Sequence, residues 1–363
     1  MIINFLAGLF GKKNQDDILS IDIGSHTIKL MELDINHQKP LLKSAGISAA
    51  PQGAIKNNIV VRPSEVASVI RSTMDANDIR ATRVVTAIPG PCVFTKKITV
   101  SSTSVKELEE NIQFEARNYV PHNINDIHLD YQILKTNGKS SMEVLLVAVK
   151  NEIISSFAET IAQADLEFSI ADVDYFALEN MFLMNYPEEK GTIAILNIGS
   201  RYSSVNLLQD GKSIFTGDIS VGGKLYTNAL CETLDLKPEE AEQAKMGNLP
   251  SGLDQHLVTE TIERTTEHVA SELHRQLGFF WNAAATDKSI ESIYICGGGS
   301  LVHGLIEELN SKVGINCKLI DTFKRIATGP EFDRDYLAEI GPSMALSIGL
   351  ASRRLGDKVH AVE

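Results

Sequence analysis

The chain has 363 residues, enough for two core-forming units, and 43% of them are hydrophobic, which is ordinary for a soluble globular protein. The formal net charge of -13 argues against non-specific binding of nucleic acid, because such binding needs basic surface that releases counterions from phosphates. The four cysteines are far apart and have no CxxC or zinc-site spacing, so we expect buried thiols in a reducing compartment and neither disulfides nor a metal framework.

The unusual segment of the chain is its beginning, where residues 1–13 read MIINFLAGLFGKK. Its apolar run precedes the lysines, which reverses the order of a secretory signal, and no stretch reaches the roughly 20 apolar residues of a membrane-spanning helix. The segment fits either a short amphipathic anchor on a membrane or a terminal turn packed on the protein or a partner. We therefore expect a cytoplasmic protein.

One internal repeat organises the sequence. Residues 19–34 read LSIDIGSHTIKLMELD, and residues 194–209 read AILNIGSRYSSVNLLQ. Each copy predicts an apolar strand, a polar residue at its end, a Gly-Ser turn and a second strand. The alignment pairs Asp22 with Asn197, Gly24 with Gly199 and Ser25 with Ser200. The repeat predicts two related halves, each with a sheet that begins with a hairpin.

Strands and helices alternate along the rest of the chain, which predicts the α/β class with mixed sheets. Between the two copies, the pattern predicts strands at 84–88, 129–134, 142–149 and 169–173 and helices at 104–119 and 151–164. After the second copy it predicts helices at 224–233, 239–245 and 254–285, a strand at 290–295, a helix through residue 312 and a helical tail at 341–355. Ser104 is the expected N-cap of the first helix, and Pro121 is expected to stop it. The stretch 92–170 reads as a compact αβ insertion in the first half.

Four glycine turns in this order predict a phosphate-binding site. Main-chain N–H groups can converge on phosphate oxygens only where small residues let the backbone come close. The turns are Gly24-Ser25-His26, Gly199-Ser200, Gly222-Gly223 at a helix start, and Gly297-Gly298-Gly299-Ser300 after a strand. Each turn alone is weak evidence, but the ordered set is strong. The chain lacks a Walker A motif, and no GxGxxG follows its first strand.

Two side chains near the first turn carry charge. Asp22, at the end of a strand, is a candidate to hold Mg²⁺ through the waters of that ion. The side chain of Lys29 either faces the phosphates or lies on the exposed surface of its strand.

The order of these turns resembles the actin, sugar kinase and Hsp70 superfamily. The resemblance implies an actin-like (ribonuclease H-like) two-domain fold of the α/β class, with ATP and Mg²⁺ in the cleft between the domains. Within that superfamily the chain is most similar to the PilM family of type IV pilus assembly, which carries an inserted αβ subdomain of the FtsA type. The stretches that carry this closer match include ENIQFEARNYVPHNINDIHLDYQIL at 110–134, ADVDYFALEN at 171–180, GGKLYTNAL at 222–230 and ELHRQLGFFWNAA at 272–284.

The resemblance also implies segment boundaries. These are 1–15 as an N-terminal segment, 16–91 as the first actin-like half, 92–170 as the inserted subdomain, 171–190 as a return to the first half, 191–330 as the second half, and 331–363 as a C-terminal return to the first half.

Family roles carry over to matching positions. Asp22 would lie at the Mg²⁺ site, with Gly24, Ser25 and Lys29 on one side of the phosphates and Gly199, Ser200, Gly222 and Gly223 on the other. Glu242 and Lys245 match helix positions that reach the ribose and adenosine in relatives, although alone they read as a solvated i,i+3 pair. Gly297 to Ser300 would face the base, and His26 lies in the first turn, where its side chain is expected to point outward.

One departure from the superfamily concerns the second hairpin, which carries Asn197 where relatives usually have an acid. An amide cannot ionise, so it holds Mg²⁺ and its waters less firmly and cannot act as a base. We expect ATP to bind while hydrolysis is slow or absent, as in a nucleotide-dependent adaptor.

The resemblance implies a set of partners. PilM-family proteins bind the short cytoplasmic N-terminus of the inner-membrane protein PilN, and so connect PilO and the motor ATPases to the envelope complex. We expect the peptide to dock beside the insertion, where Phe114 and Tyr119 are either contact residues or core. Self-association is left open, and no nucleic acid is expected.

Three other functions stay open at this point. A small-molecule kinase of the superfamily would need a catalytic base, for which the sequence has no motif. An FtsA-like division scaffold would typically carry a C-terminal amphipathic anchor, and the chain ends ASRRLGDKVHAVE instead. A GspL-like secretion protein would lead into a membrane span.

Overall fold

The computed structural model describes residues 3–4, 18–37, 39–101, 104–137, 141–249, 252–284 and 289–357. Most of the segment 1–13 lies outside these residues, so its predicted anchor or packing role stays a prediction. No helix within the described ranges is long and apolar enough to cross a lipid bilayer.

The helices and strands alternate as the sequence predicts. The strands are β1 (Ile3–Asn4), β2 (Ile18–Ile23), β3 (Thr27–Asp34), β4 (Leu41–Ala49), β5 (Ile55–Lys56), β6 (Ile59–Val60), β7 (Arg83–Ile88), β8 (Val93–Val100), β9 (Ile127–Asn137), β10 (Ser141–Lys150), β11 (Glu167–Val173), β12 (Thr192–Ile198), β13 (Ser203–Gln209), β14 (Lys212–Ile219), β15 (Ser292–Cys296) and β16 (Asn316–Leu319). The helices are α1 (Pro63–Ala76), α2 (Val105–Ala116), α3 (Asn151–Gln163), α4 (Asp174–Asn185), α5 (Lys224–Leu234), α6 (Pro238–Lys245), α7 (Gln255–Ala283), α8 (Leu305–Val313) and α9 (Arg334–Ala351).

The chain forms two compact units. Unit 1 comprises Met1–Ala177 and Ser347–Glu363, and unit 2 comprises Leu178–Leu346. The finer segment boundaries given by the resemblance stay predictions.

Both units contain the same sheet arrangement, which confirms the predicted repeat. In unit 1 the sheet order is β1-β11-β7-β2-β3-β4, and in unit 2 it is β14-β13-β12-β15-β16. Each sheet has an antiparallel hairpin, β2–β3 or β12–β13, whose first strand also pairs in parallel with a later strand, β7 or β15. The parallel strands are almost wholly buried, as expected where helices cover a sheet.

Unit 1 also contains a separate small sheet, with the order β8-β10-β9. Helix α2 covers one face and forms a core of its own, in which Leu108 and Ile112 pack with Val144 and Leu146. Ser104 caps α2 as predicted, because its hydroxyl accepts a hydrogen bond from Glu107 N–H at 3.2 Å.

Several elements differ in extent from the sequence prediction. Helix α2 ends at Ala116, before Pro121, because residues 117–119 form a turn. Helix α9 begins at Arg334, seven residues before the predicted tail helix, and keeps Pro342 inside it. Helix α3 and strand β11, which the sequence placed in the insertion, pack with the large sheet, since Phe157 and Ile161 belong to the core of that sheet.

Candidate functional site

The turns of the two hairpins have the same geometry. Gly24 N–H donates to Thr27 O at 3.0 Å, and Gly199 N–H donates to Tyr202 O at 3.1 Å. A Cβ atom on Gly24 would lie 2.8 Å from Thr27 O, and one on Gly199 would lie 2.7 Å from Tyr202 O. Any larger residue would therefore clash with the backbone, so both turns require glycine.

In unit 1, the first turn carries an ion pair. Lys29 lies opposite Asp22 in the β2–β3 register, and its Nζ lies 2.8 Å from Asp22 Oδ2. Both side chains are 11% exposed. Ser25 is half-buried and His26 is exposed, which agrees with the outward orientation expected for the histidine.

In unit 2, the start of α5 is fastened to the second hairpin turn. Gly223 N–H donates to Gly199 O at 2.9 Å, and Lys224 N–H donates to Ser200 O at 2.8 Å. A Cβ on Gly222 would lie 2.6 Å from both acceptor oxygens. These two amides at the helix start therefore hold the turns together and are not available to a ligand, contrary to the simple expectation for a helix N-terminus.

The glycine turn after β15 lies against the same hairpin. Gly297 adopts φ +88°, and a Cβ there would overlap Asn197 Oδ1 and Ile198 O. A Cβ on Gly299 would lie 3.0 Å from Gly199 O. Ser300 is buried, and its hydroxyl donates to Gly297 O at 2.6 Å, so this side chain stabilises the turn.

A lysine from α6 reaches this group of turns. Lys245 Nζ forms an ion pair with Glu242 and donates to Thr227 Oγ1 at 3.3 Å, while the Thr227 hydroxyl donates to Glu242. A Cβ on Gly223 would lie 3.7 Å from Lys245 Nζ and 3.7 Å from Gly299 Cα. The Lys245 side chain is only 10% exposed. Unit 2 thus brings three glycine turns and one largely buried ammonium group together.

Several main-chain N–H groups of these turns form no hydrogen bond with any described residue. They belong to Ser200, Gly222, Gly298 and Gly299. Gly222 and Gly299 are buried, and buried N–H groups are nearly always paired in folded proteins. Unpaired donors on adjacent turns form the type of concave arrangement that binds anions.

One carboxylate lies at the position where the sequence predicts Mg²⁺. Asp22 is that carboxylate, and Lys29 already neutralises it. At the matching position of unit 2, the Asn197 Oδ1 accepts a weak hydrogen bond from the Cys296 thiol at 3.9 Å. Within the described ranges, no group of three or more His, Cys, Asp or Glu side chains could hold a metal. Mg²⁺ usually uses only one or two carboxylates together with phosphates and water, so Asp22 is compatible with it.

Two residues of the unit 2 site were not singled out from the sequence. Thr227 links Glu242 and Lys245, and Arg201 lines a pocket beside the second turn. Arg201 directly follows the Gly-Ser pair of the second copy, and that position was its only signal.

Residues 20–355 match the family described as type IV pilus assembly protein PilM. The chain belongs to this family. Its fold is similar to that of a solved PilM–PilN type IV pilus biogenesis complex, with 26% sequence identity, a TM-score of 0.81, and coverage of 93% of this chain and 98% of that chain. The ethanolamine utilization protein EutJ from Carboxydothermus hydrogenoformans is 14% identical, with a TM-score of 0.55 over 92% of this chain and 88% of that one, which shows a shared fold.

These comparisons confirm two predictions from the sequence. The chain is a PilM-family protein of type IV pilus assembly, and its α/β fold is actin-like. The kinase, division and secretion alternatives receive no support from this family assignment.

Proposed function

We propose that this PilM-family protein is an ATP-binding adaptor that binds the cytoplasmic N-terminus of a PilN-like inner-membrane protein. The observation that carries the proposal is the similarity, over 93% of the chain, to the PilM of a PilM–PilN complex. Through this partner the protein would be held at the cytoplasmic face of the inner membrane. The adaptor would link this partner to the motor ATPases, the link to PilO would be indirect, and self-association is not required.

The geometry of unit 2 supports the nucleotide part of the proposal. The unpaired N–H groups of Ser200, Gly222 and Gly299 suit phosphate oxygens, and Lys245 adds a positive charge beside them. Glu242 can accept hydrogen bonds from ribose hydroxyls, since its carboxylate is 23% exposed. Gly298 is exposed and has no side chain, so a flat base can lie against it. The Asp22–Lys29 pair of unit 1 remains the predicted contribution to the phosphates.

We expect slow hydrolysis of ATP because of the side chains at the two hairpin turns. Mg²⁺ would neutralise phosphate charge when bound, and Asp22 is the residue that would hold it through water. Asn197 cannot take a proton, so the second turn offers no general base. The nucleotide would then act mainly as a bound ligand. Release of phosphate from ATP well above a protein-free control would overturn this part of the proposal.

A candidate partner surface lies on the inserted subdomain. Phe114 projects from α2 and is 67% exposed, so it is available for contact. Tyr119 is half-buried against the subdomain core, and Lys96 Nζ lies 5.1 Å from its ring centroid. An exposed aromatic side chain such as Phe114 contributes strongly to an interface when the partner buries it, whereas Tyr119 contributes mainly to the core.

The testing experiment is calorimetric titration of the full chain with a synthetic peptide from the cytoplasmic N-terminus of a PilN-like protein, with and without ATP and Mg²⁺. We expect binding that Phe114→Ala weakens at least about tenfold. The matched control is Phe279→Ala, because Phe279 is 66% exposed but lies in unit 2. Equal loss in both variants would remove Phe114 from the interface, and absence of peptide binding with ATP still bound would overturn the adaptor function.

A further inference from the structure

One edge of the unit 1 sheet is covered by the beginning of the chain itself. Strand β1 pairs antiparallel with β11, so that Ile3 lies opposite Ala171 and Asn4 lies opposite Ile170. On its other side β11 pairs in parallel with β7, so within the described ranges β1 is the strand that closes this edge. An open edge strand pairs readily with another extended chain, and a strand from the protein's own N-terminus prevents this.

Strand β1 covers only part of the edge. Strand β11 has seven residues, and β1 pairs with two of them. The register between β11 and β7 shifts between Phe168 and Ile170, and such an irregularity interrupts regular pairing. The regular part of the edge therefore runs from Ile170 to Val173. Because a few main-chain hydrogen bonds contribute little net free energy in water, another strand can displace β1.

The covered edge lies next to the inserted subdomain. Val173, the last residue of β11, is buried together with Val147 of β10, and the half-buried Leu145 of β10 packs against them. The antiparallel direction of β1 places Ile3, its first residue, at the end of the pairing that is nearer to Val173. The N-terminal end of β1 therefore points toward the inserted subdomain, beside which the partner's peptide is proposed to dock.

Two extended chain ends then fit the same edge. Strand addition to a sheet edge is a common way in which proteins bind extended peptides. The partner's segment is a chain N-terminus, as β1 is, so each can form main-chain hydrogen bonds with the part of β11 from Ile170 to Val173. Residues 5–17 separate β1 from β2 in the sequence. A competitor connected this closely acts at an effective concentration on the order of mM, so even weak pairing competes with a free peptide.

We propose that the N-terminal segment of this chain is an intramolecular competitor of the partner's peptide: β1 occupies the edge of β11 in the partner-free protein, and the N-terminus of the PilN-like partner displaces it. The inference rests on the proposed adaptor function. The competition weakens partner binding, because the edge is available only in the fraction of molecules that β1 has left. This main-chain contact is separate from the side-chain contact proposed for Phe114.

The test compares, by calorimetry, binding of the PilN-like peptide to the full-length wild type and to the double variant Ile3→Pro/Asn4→Pro. Proline has no N–H group to donate to a neighbouring strand, so this variant should lose β1. We expect it to bind the peptide at least about threefold more tightly, because the edge is then always available. The matched control is Ile3→Val/Asn4→Ser, which keeps both N–H groups and should bind the peptide as wild type does.

A second measurement examines β1 without any partner. Amide hydrogen exchange of Glu167–Val173, followed by mass spectrometry, should be at least about tenfold faster in the proline variant, since the N–H groups of β11 that face β1 lose their acceptors. The matched control should exchange as wild type does. A synthetic peptide of residues 1–13, MIINFLAGLFGKK, should restore slow exchange in the proline variant, whereas a scrambled version should not.

The two measurements separate the possible failures. Unchanged exchange in the proline variant, or no effect of the peptide of residues 1–13, would show that β1 does not cover the edge in solution and would overturn the inference. Faster exchange with an unchanged affinity for the partner's peptide would overturn the competition and leave the adaptor function standing. If neither wild type nor the proline variant binds the partner's peptide, the adaptor function fails and the competition fails with it. Binding by the proline variant alone would support both.

Discussion

Lys29 Nζ lies 2.8 Å from Asp22 Oδ2, and the two side chains face each other across the first hairpin of unit 1. With both only 11% exposed, water screens the pair weakly and the two charges depend on each other. The sequence assigned them separate tasks, Asp22 to Mg²⁺ and Lys29 to phosphate. In the structure the Lys29 ammonium lies beside the Asp22 carboxylate, where a cation would bind, so a metal ion has to compete with it.

This pair predicts the effect of removing one partner. Lys29→Met leaves the largely buried Asp22 carboxylate without a cation, and we expect the free energy of unfolding to fall by about 2 kcal/mol. The double variant Asp22→Asn/Lys29→Met removes both charges and should recover most of that loss, as a double-mutant cycle by urea unfolding would measure. Two independent losses that simply add would show that the pair is not coupled.

Mg²⁺ should respond to the same substitution. With Lys29 replaced by Met, the free carboxylate of Asp22 can attract the ion, so Mg²⁺ should raise the melting temperature of Lys29→Met more than that of wild type. The double variant Asp22→Asn/Lys29→Met is the control, and Mg²⁺ should raise its melting temperature no more than that of wild type. If Mg²⁺ stabilises all three proteins equally, its site does not include Asp22.

A third prediction concerns the junction between the second hairpin and α5. Gly222→Ala would place a Cβ 2.6 Å from both Gly199 O and Ser200 O, which are backbone atoms that cannot move aside cheaply. We expect nucleotide affinity to fall by at least about tenfold, because the displaced turns no longer present their unpaired N–H groups together. Fluorescence titration with a labelled ATP analogue would measure the loss.

The matched control is Gly278→Ala, near the C-terminal end of α7, where a Cβ would meet nothing within 4 Å. Alanine is a better helix former, so this variant should gain about 0.5–1 kcal/mol of stability and keep its nucleotide affinity. Nucleotide affinity that survives Gly222→Ala would remove this junction from the site.

The repeat shows what could be predicted from the sequence and what could not. Hairpin strands and glycine turns depend on residues adjacent in sequence, so the turns at Gly24 and Gly199 were predictable. The link between Thr227 and Lys245 joins α5 to α6 through their packing, which no local pattern encodes. The placement of α3 was missed for a similar reason, because Phe157 packs in a core formed by distant strands. The type of each helix or strand could thus be predicted from the sequence, whereas the geometry of the site could be seen only in the tertiary structure.

A fourth prediction concerns Lys245, whose ammonium lies among the turns of unit 2. Lys245→Met keeps the apolar stem and removes the charge, so we expect ATP affinity to fall about tenfold or more. Lys312→Met is the control, because Lys312 also pairs with an acid on its own helix in unit 2. That acid is Glu308, four residues before it. Calorimetry of both variants distinguishes the two positions. Comparable losses would mean that ATP responds only to the overall charge of unit 2.

The last prediction concerns Tyr226, which precedes Thr227 on α5 and is 1% exposed. Burial raises the pKa of this phenol to about 12 from an ordinary value of 10.0. The folded protein therefore keeps the proton in a pH range where the unfolded chain loses it. The stabilisation is complete below pH 10 and decreases as the pH rises toward 12, by about 3 kcal/mol in total.

Tyr226→Phe removes this titration, so its free energy of unfolding should decrease less steeply than that of wild type between pH 9.5 and 11, as measured by urea unfolding at several pH values. Tyr336→Phe is the control, because Tyr336 is 48% exposed and its substitution should leave the wild-type slope unchanged. If both variants keep the wild-type slope, the phenol of Tyr226 reaches water in the folded state, and the contact between α5 and α7 that buries it is looser than the structure indicates.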